Sequence, residues 1–232
     1  MIRIEDVEVM GMRKAIKGMR NAMNSWDKSD SCIDSCIDPI RHCNGCPYEF
    51  VGCNDSDYFF IGKKDMELCK NLIKAGSSDR KFLRMIHVQA DVTAPLYWWK
   101  EYDTYKVGTT ANSCSTMHTI HKKEFTIDDF SHEHLCSWSL KTMQKVIDNL
   151  NIERKNFLVS KDKFCWWQMI QLLPSSFNQM RTIDLNYETL LSIYRQRKGH
   201  KLDEWREFCK WIETLPYIKE FLESDEQSEM KE

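Results

Sequence analysis

Two stretches carry side chains that could do chemistry. The first, "CIDSCIDPIRHCNGCPYEFVGC", sets Cys32, Cys36, Cys43, Cys46 and Cys53 within 22 residues, with a CxxC step at 43–46. Thiolates at that spacing can reach one tetrahedral zinc, an iron–sulfur cluster uses the same ligands, and free loop thiols are the remaining alternative. A metal here would staple a loop. The second, "TAPLYWWKEYDTYKVGTTANSCSTMH", runs from an aromatic segment into small polar residues. Lys100 and Lys106 are cationic donors, and Thr110, Asn112, Ser113 and Ser115 are hydrogen-bonding groups beside them. Flat rings, cations and small donors suit a planar heterocycle that carries phosphate. A buried aromatic helix followed by an ordinary polar loop is the plainer alternative, and Cys114 reads as a small packed thiol.

The elements that must position these residues follow from periodicity. Residues 7–24 have apolar positions at roughly helical spacing, and a helix is predicted there. Residues 65–76, "DMELCKNLIKAG", place Met66, Cys69, Leu72 and Ile73 on one face, with Gly76 as the stop. "IHVQADV" (86–92) alternates apolar and polar residues as a half-buried strand does. Thr93 and Pro95 then open the aromatic helix, which Gly108 ends. Further helices are predicted at 139–150, 163–172, 184–196 and 202–214. The sum is an α+β fold, helices packed on a small central sheet. It reads as a single domain over 1–222, with a Cys-rich insert at about 30–57 and a disordered tail at 223–232.

The chain has 232 residues and a formal charge of −2, with 33 basic and 35 acidic side chains interspersed, so no basic face announces a nucleic acid. No segment approaches a membrane span, and the charged start lacks a signal-peptide core, so a cytoplasmic protein is expected. In that compartment ten Cys are not expected to form disulfides.

The order of "LCKNLIKAG", "FLRMIHVQADVTAP", the aromatic helix and "TTANSCSTMH" resembles the flavin-dependent thymidylate synthases, whose signature is RHRxxSxNExSxRY. Thr110, Asn112 and Ser115 fall on the first Ser, the Asn and the second Ser of that signature. "LLPSSFNQMRTIDLNYETLLSIYRQR" resembles the family's Leu-Pro segment and following helix, with Asn186 and Arg197 on its Asn and Arg. The resemblance spans roughly 65–214 and leaves out the cysteine loop. Against the pattern, the RHR positions hold Tyr105, Lys106 and Val107, or Thr104, Tyr105 and Lys106 when counted from Pro95. The Glu becomes Ser113, and the Arg-Tyr pair becomes Met117 and His118.

The resemblance implies FAD as cofactor, NADPH and methylenetetrahydrofolate as co-substrates, dUMP or a related nucleotide as ligand, and a homotetramer. It implies transfer of a methylene group from folate to the nucleotide with reduction by flavin. Asn112 and Asn186 would donate to a ring carbonyl or ribose, Ser115 and Arg197 would hold a phosphate, and Lys106 or His118 would replace a missing charge. A diverged nucleotide- or flavin-binding protein on the same scaffold, and a metal-stapled interaction module, are the competing classes.

Overall fold

The structure is a computed structural model and describes residues 2–35 and 57–229. In chain order the elements are β1 (Arg3–Met10), α1 (Met12–Met19), β2 (Cys32–Ser35), β3 (Asp57–Phe60), α2 (Lys63–Ala75), β4 (His87–Pro95), α3 (Leu96–Tyr102) and β5 (Thr109–Ser113). There follow α4 (Thr116–Thr119), α5 (Ser137–Ser160), α6 (Lys163–Leu172), β6 (Asn178–Asn186), α7 (Tyr187–Arg197), α8 (Asp203–Ile212) and α9 (Ile218–Glu229). A four-stranded sheet has the order β1-β4-β6-β5, and β2 pairs antiparallel with β3, Cys32 opposite Phe60. The predicted α+β class is what forms.

Two compact units are distinguished. One comprises the start of β1, Asp91–Tyr105 and Ala111–Thr182; the other comprises the described part of Asp6–Ala90, Lys106–Thr110 and Ile183–Glu232. In the second unit, α1 buries Ala15 and Ile16, α2 buries Cys69 and Ile73, and α8 buries Trp205, Phe208, Cys209 and Ile212. The larger of these, Ile16, Ile73, Phe208 and Ile212, each contribute roughly 1.5–3 kcal/mol of burial. Burial also pushes the Cys69 thiol up and the Cys209 thiol up to about 12, so neither is a nucleophile at neutral pH. Arg80 is buried between Glu188 of α7, at 2.8 Å, and Asp225 of α9, which Arg195 also approaches at 3.2 Å.

In the first unit, Ile120, Phe125, Phe130, Ile147, Leu150 and Met169 form a core around which α5 and α6 pack. The aromatic helix α3 is part of the interior. Trp98, Trp99 and Tyr102 are at most 2% exposed, and Trp98 stacks on Tyr102 with ring centroids 5.3 Å apart. The aromatic helix is therefore buried, as the plainer alternative has it: these rings pack against protein and offer no open face to a ligand.

Some elements differ from the sequence reading. Residues 7–10, expected in a helix, belong to β1; Asp6 takes a left-handed φ of 48°, which shifts the alternation so that Ile4, Val7 and Val9 are the half-buried positions. The helix starts only after Gly11, whose φ of 86° and close approach to the Met85 carbonyl oxygen require a residue without Cβ. β6 was not expected, because its first half, "NQMRT", carries no run of buried apolar residues; only Ile183 and Leu185 alternate inward. α5 extends to Ser160, ten residues past the expected end, because nothing in "NIERKNFLVS" breaks a helix before Lys161 turns left-handed. Residues 223–229, expected in a disordered tail, continue α9, where Ser224 and Asp225 are buried.

Candidate functional site

The residues singled out from the sequence divide between the two units. In the second, Asn186 caps α7: its Oδ1 accepts from the Thr189 backbone N–H at 3.0 Å and from the Thr189 hydroxyl at 3.1 Å. That leaves Nδ2 as the group able to donate elsewhere. The segment Lys106–Thr110 lies beside this helix start, since Thr189 Oγ1 also donates to the Val107 carbonyl at 3.3 Å. Gly108, at φ 73°, comes so near that a Cβ there would lie 2.7 Å from Asn186 Nδ2. Lys106 and Thr110 are exposed. Arg197 sits in the last turn of α7 with its guanidinium 4.8 Å from the ring centroid of Trp205, a cation–π arrangement.

In the first unit, Asn112 and Ser113 are exposed in β5. Ser115 caps the short α4, its hydroxyl accepting from the backbone N–H of His118, whose ring is exposed. Cys114 is exposed rather than packed, and its backbone N–H donates to the Met180 carbonyl at 3.0 Å. Of the cysteines read as metal ligands, Cys32 is exposed at the start of β2, while Cys36, Cys43, Cys46 and Cys53 lie outside the described residues. Among the described residues no three His, Cys, Asp or Glu side chains are grouped to hold a metal.

The second unit also holds a cavity of about 190 Å³ that sequence reasoning missed, lined by Arg13, Lys17, Arg20, Trp26, Ser29 and Ser31 among others. The signal was present in the sequence: Arg13 and Lys17 of α1 and Arg20, which caps its carboxyl end, recur at helical spacing. Arg20 donates through Nε to Asp65 Oδ1 at 2.6 Å, an ion pair with side chains 7% and 0% exposed. The other oxygen, Oδ2, accepts from Ser29 Oγ at 2.6 Å, from Ser31 Oγ at 2.5 Å and from the Ser31 backbone N–H at 3.2 Å. Burial favours the neutral acid, but these hydroxyl donors and Arg20 outweigh it and hold the Asp65 carboxyl below the usual carboxylate range. With Arg20 neutralised by Asp65, Arg13 and Lys17 are, among the described residues, the cations left to face an anion. Trp26, half exposed and fixed by its Nε1–H to Asn21 Oδ1 at 2.8 Å, adds one aromatic face.

Asp30 completes the geometry. Its carboxylate accepts from the backbone N–H groups of Lys64 at 2.9 Å and Asp65 at 3.1 Å, so it satisfies the amino end of α2 and its own carboxyl is pulled down by those bonds. Gly62 is obligatory there, because a Cβ would lie 2.3 Å from Asp30. The anchored loop holds Ser29 and Ser31 at the cavity.

The sequence matches no protein-family model and no characterised protein. In fold, the chain is similar to crystal structures of the flavin-dependent thymidylate synthase ThyX from Helicobacter pylori in complex with FAD and dUMP. In two of these the TM-score is 0.62 and the identity 15%, over 95% of this chain and 97% or 96% of the other. The scaffold is therefore thymidylate synthase-like.

Proposed function

We propose that this protein binds FAD and a uridine nucleotide on a flavin-dependent thymidylate synthase scaffold, and uses reduced flavin to complete transfer of a methylene group from methylenetetrahydrofolate to dUMP or a related nucleotide, with NADPH as reductant. The observation that carries the reading is the cavity against α1, where two cations without an ion pair among the described residues and an indole face accompany a fold similar to a protein crystallised with FAD and dUMP. That donor set fits a phosphate-bearing ring. Arg13 and Lys17 would hold phosphate and Trp26 would take a ring; Asn186 Nδ2 and Arg197 remain the proposed nucleotide contacts from α7. FAD, when bound, supplies the two-electron reduction that the chain's own side chains do not.

The test is reconstitution with FAD followed by a visible spectrum and a thermal melt. A flavin absorbance that survives gel filtration and a melting temperature raised by FAD are expected. No retained flavin and an unchanged melt would end the proposal. One observation favours binding without turnover: Met117 stands exposed where the resemblance calls for an arginine, and Thr or Met cannot supply a bidentate guanidinium. Conversion of dUMP in the presence of NADPH and methylenetetrahydrofolate separates the two readings.

The homotetramer implied by the resemblance is also proposed. Support comes from the first unit, where Trp138 (76% exposed), Ile152, Val159 (90% exposed), Phe164 and Trp167 leave α5 and α6 with large apolar side chains in solvent. Light scattering should give the mass of four chains for the wild type and a smaller mass for Val159→Glu with Phe164→Glu. A wild-type monomer would refute it.

For the Cys-rich insert we propose a structural zinc, supported by the density of thiols and the CxxC step, with about one metal per chain expected by elemental analysis. A folded, metal-free protein would return those residues to free thiols.

A further inference from the structure

The first unit contains a separate cavity of about 290 Å³, whose wall includes Cys114, Lys122, Lys123, Phe125, Phe177 and Asn178. Its floor is apolar, since Phe125 is 5% exposed and packs edge-on against Phe177 with centroids 6.3 Å apart. Two features of the wall call for a ligand. Asn178 Oδ1 is buried and has no hydrogen-bond partner among the described residues, although its Nδ2 reaches the Asp128 carbonyl at 3.5 Å. A buried acceptor without a donor is costly, and because Asn178 is only partly buried, a turn of its side chain that brings Oδ1 to the cavity would let a ligand N–H or O–H satisfy it. At the mouth, Lys123 is paired with Asp129, whereas Lys122 is exposed and has no acidic partner among the described residues.

We propose that this cavity binds a small aromatic carboxylate that carries one hydrogen-bond donor. The ring lies on Phe125 and Phe177, the donor meets Asn178 Oδ1, and the carboxylate lies at Lys122. The volume admits one substituted ring and is at the low end for small-molecule sites. The other wall residues do not compete for the ligand's polar groups: Gln179 Nε2 already donates to the Cys114 carbonyl at 2.9 Å and to Thr116 Oγ1 at 3.2 Å, while its Oε1 accepts from Arg181 Nε at 3.0 Å. This site does not rest on the flavin reading, because its residues belong to the other unit from the α1 cavity.

Cys114 is an exposed thiol on the wall and serves as reporter, and Cys136, exposed on α5's amino-terminal side, is an internal control. Iodoacetamide labelling of the full chain is followed at each cysteine by peptide mass spectrometry, with 4-hydroxybenzoate as probe. At ten times its dissociation constant the probe should slow Cys114 labelling about tenfold and leave Cys136 unchanged. Benzoate, which lacks the donor, and 4-hydroxybenzyl alcohol, which lacks the charge, should each protect less. Lys122→Glu should remove the protection by 4-hydroxybenzoate, and Asn178→Leu should make benzoate and 4-hydroxybenzoate equivalent. The proposal is overturned if Cys114 is not protected at millimolar probe, if Cys136 is protected equally, or if the neutral alcohol protects as well as the acid.

Discussion

Replacing Asp65 with Ala should lower the folding free energy by about 3–5 kcal/mol, the range for removing one partner of a buried ion pair. The loss is large because Arg20 would be left 7% exposed without a counter-charge, and because the hydroxyls of Ser29 and Ser31 and one backbone N–H would lose their acceptor. Arg20→Met combined with Asp65→Leu should recover only part of it, since the two apolar groups remove the unpaired buried charge while the Ser29 and Ser31 donors still lack their acceptor. Acid should act in the same direction. A carboxyl held below its unfolded value stabilises the fold above that value, and the stabilisation is lost as pH falls through the folded one. The wild type should therefore weaken below about pH 4, while Asp65→Ala should show a flatter acid limb. Urea titrations of both proteins across that window decide it. A destabilisation under about 1 kcal/mol would mean that Asp65 is not the anchor of this loop.

That anchor illustrates how unevenly the sequence discloses the molecule. The apolar faces of α2 and α8 and the alternation in β4 are local patterns, and these elements appear close to where periodicity predicts them. Arg20 and Asp65 are 45 residues apart, and nothing local in either segment says that one will neutralise the other. The same holds for Asp30, whose role as the acceptor for the start of α2 exists only once the chain has returned from β2 and β3. The aromatic helix misled for a different reason. Composition shows that Trp98, Trp99 and Tyr102 are adjacent rings but not which way they face, and burial is a property of what packs over them. The cationic face of α1 was legible in spacing, since the helix expected over 7–24 contains Arg13, Lys17 and Arg20, but spacing does not show that Arg20 turns inward to Asp65 while the other two stay exposed.

Charge reversal on that face is the sharpest test of where a phosphate would sit. Arg13 and Lys17 are exposed and make no ion pair among the described residues, so Arg13→Glu with Lys17→Glu should change stability by no more than about 0.5 kcal/mol per site. Binding is another matter. A hydrogen bond to a charged group is worth about 1.5–3 kcal/mol, so losing two should weaken FAD by about two powers of ten or more. Reversing the sign adds repulsion that salt screens, so the deficit should shrink as ionic strength rises. Arg197→Ala supplies the contrast. If its guanidinium holds the nucleotide phosphate, dUMP affinity should fall by more than about tenfold in that variant while FAD affinity stays, and Arg197→Lys should restore only part because the planar fork is lost. If Arg197 serves only to stack on Trp205 at 4.8 Å, both ligands should bind Arg197→Ala as they bind wild type, with a stability loss of about 0.5–1 kcal/mol from the cation–π contact. Calorimetric titration of FAD and dUMP into the three variants assigns each cation to one ligand or to neither, and undiminished FAD binding by the Arg13 and Lys17 double variant would remove the α1 cavity as the flavin phosphate site.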